Sequence, residues 1–224
     1  MQKIIEPIVF IIYLTLILIT SRYMIIESLG NTLYKTFGVF GLTLALTDGI
    51  YIIPRMYAVL TTGLEDNLRI LGWGRLGNSI IVTILFLVLY DIYNLRYSKR
   101  KKRDLDKTIY ILSGIRVFLC LLPGNKYFEL IPNHKYAIIR FIPILIIGLL
   151  LILVIFVHSK KYRDKSFMLL GIAAAISILL LEPLVYSRSS IIITILTIIR
   201  TIALVAILLI GYRELRDINV LSRY

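Results

Sequence analysis

The sequence predicts an all-α, polytopic membrane protein of seven transmembrane helices, on three observations. Of 224 residues, 58% are hydrophobic and 17% charged, whereas a soluble domain is about 45–50% apolar and about 25% charged. The mean hydropathy is +0.86. Apolar runs also recur at about the length of roughly 20 residues that a helix needs to cross hydrocarbon about 30 Å thick.

The expected spans, in order, are about 4–21, 36–53, 76–94, 108–123, 138–158, 166–186 and 190–211. The first follows Lys3 as a signal peptide would. It ends Ile19-Thr20-Ser21-Arg22-Tyr23, without a small-x-small cleavage site, so it is expected to be retained. The second stops at Pro54, where proline removes a backbone donor. The third opens from the turn Leu71-Gly72-Trp73-Gly74, with Trp73 as an interfacial anchor. The fourth follows a basic run and stops at Pro123, and the last three are rich in Ile and Leu. None alternates with period two as a membrane barrel strand does, and open sheet edges are not tolerated in hydrocarbon, so helices are expected. Residues 1–224 show no repeat or linker and form a single domain.

Basic residues fix the orientation. Sixteen fall in segments that alternate onto one side: Arg22 and Lys35, the run from Arg96 to Lys107, the loop Lys160–Lys165, and Arg213, Arg216 and Arg223. Seven fall opposite: Lys3, Arg55, Arg69, Arg75, Lys126, Lys135 and Arg188. The positive-inside rule puts the sixteen in the cytoplasm, with the N-terminus outside and the C-terminus inside. The excess of 26 Lys+Arg over 13 Asp+Glu is thereby a membrane-flanking feature attracted to anionic lipid, not a nucleic-acid footprint. The chain is expected in a cell membrane, the bacterial cytoplasmic membrane in particular.

Charges also enter the spans. Arg116, Arg140 and Arg200 lie within them, as do Asp48 and Glu182, with Glu6 and Asp91 nearer span ends. A charge at a helix centre costs roughly 2.5–3.5 kcal/mol on insertion scales, so these groups must face the bundle interior, pair, or line water. Most of them, with all six prolines (Pro7, Pro54, Pro123, Pro132, Pro143 and Pro183), fall toward the outer side. A polar, irregular outer half containing an outward-facing pocket is expected above a greasier, regular inner half. Helical spacing groups Asp48 with Arg55 and neighbouring Tyr51; Arg75 with Ser79, Thr83 and Tyr90; Arg116 with Cys120; and Glu182 with Tyr186. Gly171, Ala174 and Ala175 allow close helix contact. The expected ligand-binding set is Asp48, Tyr51, Arg55, Arg75, Ser79, Thr83, Arg116, Arg140, Glu182 and Arg200. Arginine outnumbers carboxylate in it, and guanidinium forks suit carboxylate or phosphate, so an anionic or amphiphilic ligand is expected, with membrane lipids as the surrounding partners.

Several chemistries are excluded. His134 and His158 fall on opposite sides of the membrane, so neither a histidine metal cluster nor a Ser-His-acid triad is available, and no metal or cofactor is expected. The lone Cys120 forms no intramolecular disulfide. No lysine lies inside a span to carry a retinal Schiff base, and no Walker A or dinucleotide glycine pattern occurs. Enzymatically there remains acid–base chemistry by Asp48 and Glu182.

Thr47-Asp48-Gly49-Ile50-Tyr51-Ile52-Ile53-Pro54-Arg55 resembles a Gly-Asp-x-Phe-His-Leu-Ile-Pro-Arg stretch of a family of uncharacterised seven-helix membrane proteins from low-GC Gram-positive bacteria. Leu71-Gly72-Trp73-Gly74-Arg75 with Ser79 and Thr83, then Arg116 through Asn125, then Arg140-x-x-Pro143 with Gly148, extend the likeness over about residues 40 to 211. Tyr51 stands where the family pattern has histidine and Arg75 where it has lysine. The resemblance implies the same topology and highlights Asp48, Pro54, Arg55, Arg116 and Arg140, without implying a reaction. A fainter likeness, carried by Asp48 and the span spacing, is to the YhhN-type lysoplasmalogenases. Three functions follow as expectations: a protein that binds, senses or transports a small anionic or lipid-like ligand, an intramembrane lipid-modifying enzyme, or an interaction subunit whose charges meet a membrane partner.

Overall fold

Each apolar run becomes a helix longer than the run itself, because polar flanks continue or cap it. The computed structural model describes residues 2–97, 103–180 and 190–221. Seven α-helices lie among them: α1 (Gln2–Glu27), α2 (Thr32–Leu60), α3 (Leu68–Tyr97), α4 (Arg103–Leu121), α5 (His134–Tyr162), α6 (Lys165–Leu179) and α7 (Ser190–Leu221). A 3₁₀ turn, Pro123–Asn125, follows α4, and no strand occurs among the described residues. Asn31 and Asn133 cap α2 and α5 by accepting from the amides of Leu33 at 3.0 Å and Lys135 at 3.1 Å. Asp164 does the same for α6 through Phe167 N at 3.2 Å.

Five helices are long and apolar enough to cross a membrane, over Ile8–Glu27, Thr32–Leu60, Leu68–Tyr97, His134–Tyr162 and Ile195–Val220. Helix α4 spans 19 residues, but Asp104, Asp106, Lys107 and Arg116 dilute its apolar content. Helix α6 is apolar but has 15 residues, about 22 Å at 1.5 Å per residue. The rest of the expected sixth span, with Glu182 and Pro183, lies outside the described residues, as does the basic run 98–102. Apolar side chains also cover the outside of the bundle. On α1, Ile11, Ile12, Leu16 and Ile19 expose 55–61% of their surface, and a continuous apolar exterior of this kind requires an apolar solvent.

Consecutive helices pack side by side, and α7 returns against α2 and α1 to close the bundle. Helices α1 and α7 run in the same direction: Tyr23 meets Tyr212 with ring centroids 5.6 Å apart, and the Asn219 amide donates to Glu27 O at 3.3 Å further along. The core is aromatic and branched, with Phe37, Phe40 and Leu44 of α2, Leu85, Leu89 and Tyr90 of α3, Ile147 and Leu151 of α5, Phe167 of α6 and Ile207 of α7 all essentially inaccessible. Small residues bring helices close as the sequence suggests: a Cβ on Gly171 would lie 2.9 Å from Ile155 of α5.

Helices α2 and α3 approach closely at Pro54. Proline cannot donate to the carbonyl one turn back, leaving Ile50 O without its helical partner. Helix α3 presents Gly74 to that oxygen, and a Cβ there would sit 2.7 Å from Ile50 O and 3.2 Å from Pro54 Cγ. Gly74→Ala is therefore expected to destabilise the protein by about 1–3 kcal/mol through overpacking against backbone that cannot move aside, seen as a lowered unfolding temperature in detergent. A melt equal to wild type would show that the two helices separate without cost.

The end of the bundle carrying the C-terminus of α3 is rich in polar contacts. Arg96 forms ion pairs with Asp164 at 2.9 Å and Glu214 at 3.5 Å, Tyr97 also donates to Asp164 at 3.0 Å, and Tyr90 donates to Asp106 at 2.5 Å. His158 packs among Tyr93, Tyr97 and Tyr162. These contacts tie α3, α6 and α7 around a cleft of about 760 Å³.

Candidate functional site

At the opposite end, the polar residues of α3, α4 and α5 meet under the α4–α5 loop. On α3, Ser79 and Thr83 are one turn apart, and α4 presents Ser113, Arg116 and Cys120 at matching helical spacing. Arg116 Nη1 donates to Thr83 Oγ1, and Cys120 Sγ faces Ser79 O at 3.9 Å. Arg116 is only 6% exposed.

The loop completes this cluster because α4 stops at Pro123 and its last carbonyls need donors. Asn125, fully buried, supplies them: its amide nitrogen donates to Leu119 O at 2.8 Å, Cys120 O at 3.2 Å and Leu122 O at 2.8 Å. Its Oδ1 accepts from Arg140 Nη1 of α5 at 2.7 Å. The Arg140 guanidinium also lies 4.9 Å from the ring centroid of Tyr127, a cation–π contact. Burial pushes the Tyr127 phenol above its ordinary pKa.

Arg75 holds the loop from α3. Its Nη1 donates to Tyr127 O at 2.9 Å and Glu129 O at 2.7 Å, while Phe128 seats on Gly72 and meets Trp73 edge-on at 5.5 Å. Trp73 is 59% exposed, as an interfacial anchor requires. With two charge-assisted bonds to main-chain oxygen, Arg75 acts as a latch. Arg75→Ala is expected to raise amide hydrogen exchange across residues 126–131 by about tenfold or more, corresponding to a loss above about 1.4 kcal/mol of local stability. Unchanged exchange there would show that the aromatic contacts suffice.

A second polar group lies between α1, α2 and α7. Tyr13 Oη donates to Asp48 Oδ2 at 2.6 Å, and Arg200 acts electrostatically on both. Arg200 also acts on Arg116, as does Arg140, which links the two groups by charge. No ion pair within 4.0 Å joins Arg116, Arg140 or Arg200 to a carboxylate among the described residues, where such pairs involve Arg96 and Lys126. Four buried polar atoms lack a well-formed hydrogen bond among the described residues: Ser113 Oγ, Arg116 Nε, Arg200 Nε, and Tyr127 Oη, which lies within reach of the Ser79 and Cys120 side chains. All four belong to these two groups.

Of the expected site residues, the structure brings together Ser79, Thr83, Arg116 and Arg140, with Arg75 joined through the loop. It sets Asp48 beside Arg200. Tyr51 and Arg55 are exposed on α2, close enough to Arg75 to act on it electrostatically, because Arg55 lies about 10 Å further along α2 than Asp48. Glu182 lies outside the described residues. Tyr13, Ser113, Asn125 and Tyr127 were not in the expected set. Tyr13 is one of few polar side chains, with Thr15, in the apolar run from Ile8 to Ile19, and Asn125 follows Pro123-Gly124 at a helix end; both are signals a sequence can carry. The 760 Å³ cleft lies at the other end of the bundle, and a second, of about 300 Å³, opens on the α1–α7 flank.

Comparison of the chain with family models, with curated proteins and with solved structures finds no significant match.

Proposed function

We propose that this chain is a seven-span protein of the bacterial cytoplasmic membrane, N-terminus outside, that binds a small anionic group in the polar cluster beneath the α4–α5 loop, in the service of sensing or transport. The observation that carries the reading is the set of orphaned atoms around Arg116. More than nine in ten buried polar groups in folded proteins are partnered, and an unpaired buried cation is costlier still. Arg116 is buried, its Nε is free among the described residues, and the charges acting on it from Arg140 and Arg200 are also positive. An anion bound between these groups satisfies all three, and the Ser113 and Tyr127 hydroxyls are placed to complete its shell. The alternative of charges that merely glue helices together predicts carboxylate partners within ion-pair distance of these arginines. The enzymatic alternative has Asp48 paired with the Tyr13 phenol, which suits holding a proton better than moving one.

The likeness to the seven-helix family of low-GC Gram-positive bacteria belongs to the same proposal, since it singles out Asp48, Arg116 and Arg140. The test is mass spectrometry of small molecules and lipids retained by the purified protein, wild type against Arg116→Met and Arg140→Gln. Wild type should retain an anionic species that both variants lose. Identical retained sets would overturn the reading.

A further inference from the structure

The 760 Å³ cleft at the Arg96 end of the bundle holds a positive charge that its own carboxylates do not cancel. It is lined by three cations, Arg96, Arg163 and Lys165, and two carboxylates, Asp164 and Glu214, beside Tyr162. Both carboxylates are engaged within the protein. Asp164 accepts from Arg96 and Tyr97 through Oδ2 and from Phe167 N through Oδ1. Glu214 pairs with Arg96 and accepts from Tyr34 Oη at 3.4 Å. Arg163 and Lys165 are exposed and have no side-chain partner among the described residues. The lining therefore has a net charge of one positive and two cations free to meet an anion. Arg163 also closes α5 in the left-handed conformation, φ +53°, where glycine is the usual residue because it has no Cβ to crowd the backbone.

The surface next to the cleft is apolar. Lys165 opens α6, and Met168, Leu169, Ile172 and Ile176 follow it at helical spacing, so all five share one face of the helix. The four apolar members are 38–57% exposed, and the strip runs about 16 Å from Lys165 to Ile176. Charge gives way to exposed apolar surface within one turn. Tyr162, 58% exposed, lies at that boundary, as aromatic rings do at the headgroup level of a membrane.

We propose that this cleft is a headgroup site for a monoanionic diacyl phospholipid of the phosphatidylglycerol kind, with its phosphodiester on Arg163 and Lys165 and an acyl chain along the exposed strip of α6. A phosphodiester brings the single negative charge that balances the lining, whereas a zwitterionic phospholipid brings a cation as well. A guanidinium fork and an ammonium are both established phosphate partners, and basic pockets between helices at the membrane surface are where anionic headgroups bind. The inference takes only the leaflet, the cytoplasmic one, from the orientation proposed above, and the Arg116 cluster plays no part in it.

The experiment is titration of phosphatidylglycerol or phosphatidylcholine into the delipidated protein in neutral detergent, read by melting temperature and by native mass spectrometry of the lipid-bound fraction. Phosphatidylglycerol should bind and raise the melting temperature, and phosphatidylcholine should bind about tenfold or more weakly, the worth of one charge-assisted hydrogen bond. Without lipid, Arg163→Gly should melt at or above wild type, because glycine suits φ +53°. It should nevertheless lose phosphatidylglycerol affinity by about tenfold or more, and Lys165→Gln should lose as much. Replacing Lys160 and Lys161 together by Gln removes two exposed charges outside the lining and should lower affinity less. Equal binding of the two lipids overturns the proposal, as does full phosphatidylglycerol affinity in both Arg163→Gly and Lys165→Gln. An equal loss on replacing Lys160 and Lys161 marks attraction by the basic surface as a whole, and an equal melting shift with water-soluble glycerophosphoglycerol marks a site for free anions; either overturns it too. Arg116→Met should leave phosphatidylglycerol binding intact, so the reading of the Arg116 cluster can fail while the headgroup site stands.

Discussion

Asn125→Ala should destabilise the protein by about 3 kcal/mol or more and abolish anion retention together. One amide nitrogen serves three carbonyls at the end of α4, and the same side chain accepts from Arg140. Leaving a buried polar group unsatisfied costs about 1–3 kcal/mol, and alanine would leave several at once in a site sealed from water. The consequence is also geometric. Without Asn125, the last turn of α4 loses its restraint, Arg140 loses the acceptor that aims it, and the pairing of Arg116 with Thr83 loses its supporting wall. Asn125→Asp is the sharper control, because it keeps the size and the Arg140 contact but turns a donor into an acceptor against three carbonyl oxygens. It should melt no higher than the alanine variant. Thermal unfolding in detergent reads both, and an Asn125→Ala loss below about 1 kcal/mol would mean that water replaces the amide and that the loop is not a seal.

Arg116→Met should do the opposite to stability while removing binding. Taking an uncompensated cation out of a buried site relieves a desolvation cost that a methionine of similar reach does not carry, and apolar replacement of buried charged groups is often neutral or stabilising by about 1–4 kcal/mol. Delipidated Arg116→Met is therefore expected to melt at or above delipidated wild type, and adding the retained anion should raise only the wild-type melting temperature. Thr83, left without its donor, can return its hydroxyl to the carbonyl one turn back, as Ser79 does with Arg75 O at 2.9 Å. Arg116→Lys keeps the charge without the fork and should bind weakly rather than not at all. A methionine variant that melts well below wild type would identify Arg116 as a structural strut, and the binding proposal would fall with it.

Helical class and the long apolar spans were legible because both follow from composition and run length, which no tertiary contact has to override. The convergence of Ser79, Thr83, Arg116 and Arg140 was legible for a related reason: each lies at helical spacing on its own span, and charge has few places to go inside hydrocarbon. The rest depended on what lies between helices. Nothing in the sequence states that the loop after Pro123 folds back over the helix ends, so Asn125 is legible only as part of the family-like stretch, and Tyr127 not at all. Asp48 and Arg55 share a helical stripe, yet depth separates them, since the stripe runs along α2 from the bundle interior to its open end. The Arg96 junction with Asp164 and Glu214 brings together residues far apart in the chain, and from the sequence alone they read as parts of separate basic loops.

The latch has an evolutionary consequence. Arg75 grips main-chain oxygens at positions 127 and 129, which every amino acid possesses, so the fastening is indifferent to the side chains there. The exterior of this loop is thus free to drift in sequence, while the closure beneath it persists unaltered.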